Sequence, residues 1–141
     1  EASLPADIAV CAAAVADWRV AGEAEQKMKK DGSGQPPALA LVENPDILKT
    51  LSQLNGNRPS LVVGFAAETE KVVDHAKSKR QRKGCDWMVA NDVGAGTGVM
   101  GGDENTVHLI TAQGIEDWPT MAKDAVAAAL AKRIADHFGS E

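Results

Sequence analysis

Apolar residues along this chain fall into short unbroken runs separated by stripes at helical spacing. Residues 7–14 hold Ile8, Ala9, Val10 and Cys11 in succession, a run without polar alternation that predicts a strand covered on both faces. Residues 38–42, 60–67, 86–90 and 106–110 form further short runs of strand character. Between them the period changes. Ile47, Leu48, Leu51 and Leu54 repeat as a helical stripe after Asn44-Pro45-Asp46, where Asn44 can cap, Pro45 suits the first helical position and Asp46 complements the dipole. Residues 68–83 carry Val72, Val73 and Ala76 on a second helix closed by Gly84. Met121, Ala125, Val126, Ala129, Leu130, Ile134 and Phe138 mark a long amphipathic helix near the end of the chain. Strands alternating with helices predict an α/β, Rossmann-like fold, a mainly parallel sheet flanked by helices.

The first predicted strand begins almost at residue 1. A two-layer fold normally supplies an earlier strand and crossover helix, so residues 1–141 are expected to be a single domain whose N-terminal part is missing. Lys27-Met28-Lys29-Lys30-Asp31-Gly32-Ser33-Gly34 is polar, glycine-punctuated and without period, as a mobile flap would be. Internal repeats and a second domain are not apparent.

Composition narrows the function classes. The chain is 44% hydrophobic and 25% charged with a formal net charge of -5, an ordinary balance for one folded domain. The acidic excess argues against general nucleic-acid binding, which needs a broad basic face. With no Tyr and two Phe the chain also lacks the aromatic platforms on which single strands stack. The apolar runs fall short of the roughly 20 residues that a membrane helix requires. A start at Glu1 in an acidic, proline-containing segment does not read as a signal peptide. Cys11 and Cys85 lie singly within apolar stretches and suggest neither a disulfide framework nor a zinc site, so a reducing cytoplasm is expected.

Against this acidic background, Lys77-Ser78-Lys79-Arg80-Gln81-Arg82-Lys83 places five basic residues in seven. On a helix, Lys79 and Lys83 share a face and could hold a polyphosphate. The same residues would also complement the helix C-terminal pole. Open parallel sheets bind ligands at the carboxyl ends of their strands, which here selects residues 13–17, 44–48, 65–69 and Asn91-Asp92. Asp17 could accept a ribose hydroxyl, contact Mg²⁺ or cap the next turn. Phe65 would pack in the core or against a base, and Glu68 would cap the following helix. Lys27 is either a solvated flap residue or a lid cation that neutralises developing charge.

Gly94-Ala95-Gly96-Thr97-Gly98 follows a strand but leads through Gly101-Gly102-Asp103 into another strand. A dinucleotide fingerprint must open into a helix. The Gly-Lys-Ser/Thr ending of a P-loop is missing. His75, His108 and His137 have no metal or triad spacing and read as surface or packing residues.

Five blocks in order carry a resemblance: Ala12-Ala13-Ala14-Val15-Ala16-Asp17-Trp18-Arg19, Lys27-Met28-Lys29-Lys30, Asn44-Pro45-Asp46-Ile47-Leu48, Gly64-Phe65-Ala66-Ala67-Glu68-Thr69 and Ala90-Asn91-Asp92-Val93. Through nearly its whole length the chain resembles phosphopantothenoylcysteine synthetase, the phosphopantothenate-cysteine ligase of coenzyme A biosynthesis. In bacteria that enzyme is usually the C-terminal half of a bifunctional protein, fused to an FMN-dependent decarboxylase. The resemblance implies CTP as co-substrate with Mg²⁺ held mainly by the triphosphate, 4'-phosphopantothenate and L-cysteine as the other substrates, and a homodimer. It implies that Cys11, Ala12 and Ala13 contact the cytosine mainly through backbone and that Asp17 binds the nucleotide. Pro45, Asp46, Ile47 and Leu48 would supply contacts at a helix start, Phe65 would line the pocket, and Lys79 and Lys83 would hold the triphosphate. Lys27 would act on the cytidylate intermediate.

The chain departs from the family in carrying Trp18 where Tyr is usual and in lacking the family's N-terminal segment, so it is expected to lack part of the acyl site. Two other readings remain: an NAD(P)-dependent oxidoreductase whose glycine fingerprint lies upstream, and a non-catalytic interaction domain whose basic helix docks an acidic partner.

Overall fold

A computed structural model describes residues 2–22, 32–94 and 102–139. Strand β1 is Ile8–Cys11, followed by β2 at Trp18–Val20, β3 at Leu41–Glu43 and the short helix α1 at Ile47–Ser52. Next come β4 at Leu61–Glu68, helix α2 at Val72–Lys83 and β5 at Trp87–Asp92. The remainder is β6 at Glu104–Asn105, β7 at Val107–Thr111, β8 at Gly114–Asp117, β9 at Met121–Ala122 and helix α3 at Lys123–Gly139.

The central sheet has five strands in the order β1-β4-β5-β7-β8. β4 runs parallel to both β1 and β5, with Cys11 opposite Gly64 and Gly64 opposite Met88. β7 and β8 add to the far side as antiparallel strands. The α/β, Rossmann-like architecture expected from the hydrophobic pattern is therefore present, with a parallel portion extended by an antiparallel hairpin. β2 and β3 form a separate antiparallel ribbon, and β6 pairs with β9.

Alternation along β4 feeds both faces. Leu61 and Val63 join Trp87, Val89, Val107 and Leu109 under α3, which contributes Val126 and Leu130, with Ile134 and Phe138 packed alongside. Val62 and Ala66 face the other way, with Ala76, Met88, Ala90 and Ile110, against Leu48 and Val72. Arg133 on α3 stacks 5.0 Å from the centroid of Trp87 and pairs with Glu116 at 2.9 Å, tying α3 to β8.

Several local expectations are corrected. β1 is an edge strand among the described residues, so Ile8 and Val10 remain 38% and 46% exposed instead of covered on both faces. Asp46, not Asn44, caps α1, its carboxylate accepting from the Lys49 amide at 3.0 Å. Pro45 consequently stands before the helix. α2 starts at Val72, after Lys71 in a left-handed conformation without a side-chain cap; Glu68 ends β4 and caps nothing. Gly84 closes α2 with φ 81°, a conformation that costs glycine nothing. Met121 pairs with Asn105 in a strand and lies outside α3.

At the opposite rim from the strand carboxyl ends, Asp86 Oδ2 accepts from the Val62 amide at 2.8 Å and from Arg58 Nη2 at 3.1 Å. Arg58 also donates to the carbonyls of Ser52 and Pro59, both at 2.8 Å, which anchors the α1–β4 connection. Val62 is fully buried, so truncating Asp86 removes the side-chain acceptor of a covered amide. Asp86→Ala should cost about 1–3 kcal/mol, the usual penalty for an orphaned buried donor. A lower urea midpoint at unchanged slope checks this, whereas an unchanged midpoint rejects it.

Candidate functional site

The segment leaving β1 and the segment joining β3 to α1 face each other across a cleft of about 350 Å³. Residues 10–17 and 43–48 form its walls, with Phe65 and Lys83 reaching in from β4 and α2. Its position at the carboxyl end of the parallel strands follows from the topology.

Gly64 determines how near α1 can approach. A Cβ at this position would lie 2.5 Å from Leu48 Cδ2 and 3.3 Å from Met88 Cε. The missing side chain lets Leu48 rest directly on β4, bringing the start of α1 to the cleft. Asn44 then locks the two walls together: its Nδ2 donates to the Ala16 carbonyl at 2.7 Å and its amide to the Asp17 carbonyl at 2.7 Å. Arg19 Nη1 donates to Asn44 Oδ1 at 3.0 Å and to the Glu43 carbonyl at 3.1 Å. The positioning roles of Asn44 and Arg19 were not legible from residue spacing, because both depend on contacts more than 20 positions apart in the chain.

The structure brings Cys11, Ala12, Ala13, Asp17, Pro45, Asp46, Ile47, Leu48, Phe65 and Lys83 to one cleft. Lys83 Nζ lies 2.9 Å from Asp46 Oδ2. Burial acts to raise the Asp46 pKa, but the Lys49 amide and the Lys83 ammonium outweigh it and hold it below its ordinary value. Lys79 does not line the cleft: its ammonium pairs with Glu68 Oε1, whose other oxygen lies 3.4 Å from His75 Nδ1. Burial opposes ionisation of Glu68 as well, and Lys79 and then His75 overcome it, so its pKa is also lowered. Lys27, the expected catalytic residue, falls outside the described residues.

The basic run thus divides by geometry. Arg80 Nε donates to the Asp86 carbonyl at 2.7 Å and fastens α2 to β5, while Lys79 and Lys83 turn toward carboxylates. His108 pairs across the hairpin with Asp117 at 2.6 Å, and His137 packs edge-on against Trp87. Desolvation raises the Cys11 pKa and pushes the Cys85 thiol up to about 11, so both sulfurs stay protonated at neutral pH and neither is a ready nucleophile. No group of three or more His, Cys, Asp or Glu among the described residues is arranged to hold a metal ion.

Comparison with known proteins identifies the family of the chain. Residues 1–138 match the family described as the DNA/pantothenate metabolism flavoprotein C-terminal domain. The chain is 41% identical over 138 residues to the coenzyme A biosynthesis bifunctional protein CoaBC of Haemophilus influenzae, covering 98% of this chain and 34% of that protein. It is 38% identical to the protein of that name in Escherichia coli K12, over 94% of this chain and 32% of the relative. The chain therefore spans about a third of these curated relatives. A solved C-terminal domain of CoaBC superposes with TM-score 0.66 at 29% identity, covering 96% of this chain and 58% of that one. The DNA/pantothenate metabolism flavoprotein of Streptococcus pneumoniae shares the fold, with TM-score 0.67 at 16% identity over 93% and 63% of the two chains.

Because the Glu68 pKa is lowered on folding, the unfolded chain takes up the proton first as the solution is acidified. The associated stability is complete above the unfolded value of about 4.3 and disappears as pH falls through the lower native value. Glu68→Gln should lose this contribution and show a shallower decline in stability between about pH 5 and 3. Urea unfolding across that range checks it; parallel curves for the two proteins reject it.

Proposed function

We propose, starting from the fact that this chain belongs to the DNA/pantothenate metabolism flavoprotein C-terminal domain family, that it carries the nucleotide site of a CTP-dependent ligase joining 4'-phosphopantothenate to cysteine. The observation that carries this reading is the convergence of the β1 loop, residues 45–48, Phe65 and Lys83 on one cleft. Its size lies within the range of small-molecule sites. The segment 12–16 is Ala-Ala-Ala-Val-Ala, so a base lodged there would be read mainly by main-chain groups, as expected for cytosine.

In the proposed reaction the carboxylate of 4'-phosphopantothenate attacks the α-phosphate of CTP, forming the acyl-cytidylate as the bond to pyrophosphate breaks. The amine of cysteine then attacks the acyl carbon, forming the amide and releasing CMP. Such chemistry requires that anions be brought together and water excluded, with little covalent participation by the protein. The protonated thiols of Cys11 and Cys85 accord with that economy. Lys83 supplies positive charge within the cleft, and Mg²⁺ enters as the counter-ion of the triphosphate. Lys27 would act at the cytidylate.

The relatives are named bifunctional proteins, and we extend the proposal to a partnership with an FMN-dependent decarboxylase, fused or separate, in a cytoplasmic homodimeric enzyme. Among the described residues, the next element after β5 is strand β6, whereas an NAD(P) pyrophosphate would need a helix start there.

A pyrophosphate-release assay on the full-length gene product, with CTP, ATP, 4'-phosphopantothenate and cysteine varied separately, tests the reaction. Release should require CTP and 4'-phosphopantothenate but not cysteine. Lys83→Ala should weaken CTP binding about tenfold or more, the usual scale for losing a charge-assisted contact. Release that is independent of 4'-phosphopantothenate, or none with any nucleotide, would sink the proposal.

A further inference from the structure

His75, Lys79 and Lys83 are spaced four apart on α2 and so lie along one helical face. Lys83 already reaches the cleft, but Lys79, one turn earlier, is held by Glu68 at the end of β4. The Glu68 side chain is only 12% exposed while that of Lys79 is 35% exposed, and the Glu68 carbonyl is fixed by the Val93 amide at 2.9 Å. The acid is therefore anchored and its basic partner has room to swing. A half-buried carboxylate deserted by its counter-ion would be costly, and His75 Nδ1 stays beside it at 3.4 Å from Oε2.

We infer that Glu68 is a positioning residue that parks the Lys79 ammonium beside the cleft, and that a triphosphate recruits Lys79 only by exchanging with this carboxylate. The inference rests on reading the cleft as a nucleotide site. It assigns different duties to neighbouring lysines: Lys83 meets any nucleotide entering the cleft, whereas Lys79 engages the far end of a polyphosphate. When pyrophosphate is cleaved off, recapture of Lys79 by Glu68 weakens the hold on that product and helps it depart.

Calorimetry on the full-length gene product, with Mg²⁺-CTP and with CMP, tests the exchange in the unaltered protein, Glu68→Gln, Lys79→Ala and the double variant. Removing the competing carboxylate should tighten CTP binding about threefold to tenfold and change CMP binding by less than about twofold. In the Lys79→Ala background the same change should shift CTP affinity by less than about twofold, since no ammonium remains to be released. Unchanged or weaker CTP binding by Glu68→Gln overturns the inference, and so does a gain that survives in Lys79→Ala, which would mean simple charge repulsion. Should Glu68→Gln fail to fold, Glu68→Asp, with a carboxylate too short to reach, carries the same expectation. If the unaltered protein binds no CTP, the nucleotide site itself is rejected and the exchange falls with it; CTP binding with a flat response to Glu68 rejects the exchange alone.

Discussion

The close seating of Leu48 on Gly64 is the contact on which the cleft depends. β4 is central to the parallel part of the sheet and packs on both faces, so an ordinary side chain at position 64 would hold α1 away from it. With only hydrogen there, the helix settles onto the strand and its capping acid comes within reach of Lys83. An apolar contact of short range thereby sets an ionic one, and the ionic one closes a wall of the cleft. Asn44 adds the second constraint by joining that wall to the loop leaving β1.

The charges around this contact are arranged in pairs. One face of α2 offers His75, Lys79 and Lys83, and opposite them the end of β4 offers Glu68 and the start of α1 offers Asp46. Local neutrality explains how a basic stripe persists at the edge of a core in an acidic chain. Isolated ammonium groups so close together would repel, and half-buried carboxylates alone would be driven toward their neutral forms. Together they leave both carboxylates with an ammonium partner at this rim.

Much of the architecture was legible because it rests on local pattern. The unbroken run in β4, the stripe of α3 and the glycine closing α2 each reflect a period or a backbone preference contained within a few residues. What escaped was decided by distant partners. The burial of β1 depends on which strands flank it, so Ile8 and Val10 could not reveal their exposure. Asn44 and Asp46 are both good caps, and only the loop at Ala16 decided which one was left for the helix. β8 carries Gly114, Ile115, Glu116 and Asp117, too polar to read as a strand until it is paired with β7. For the site, the lysine spacing was readable and the choice of acid for each lysine was not, since Glu68 belongs to another element. Three of the five ordered blocks, at residues 12–19, 44–48 and 64–69, reach the cleft, and they pointed to it more sharply than any propensity did.

The alanine-rich wall after β1 has a bearing on how the cleft can change over time. Walls built from bulky side chains can be remodelled by replacing one of them. Here Ala12 to Ala14 and Ala16 offer little beyond their peptide groups, and a peptide group is present whichever amino acid is encoded. A small molecule whose hydrogen bonds are directed at this stretch would therefore address chemistry that no substitution short of proline deletes, leaving steric obstruction as the simplest route to resistance, and that same obstruction would narrow the space available to any other occupant.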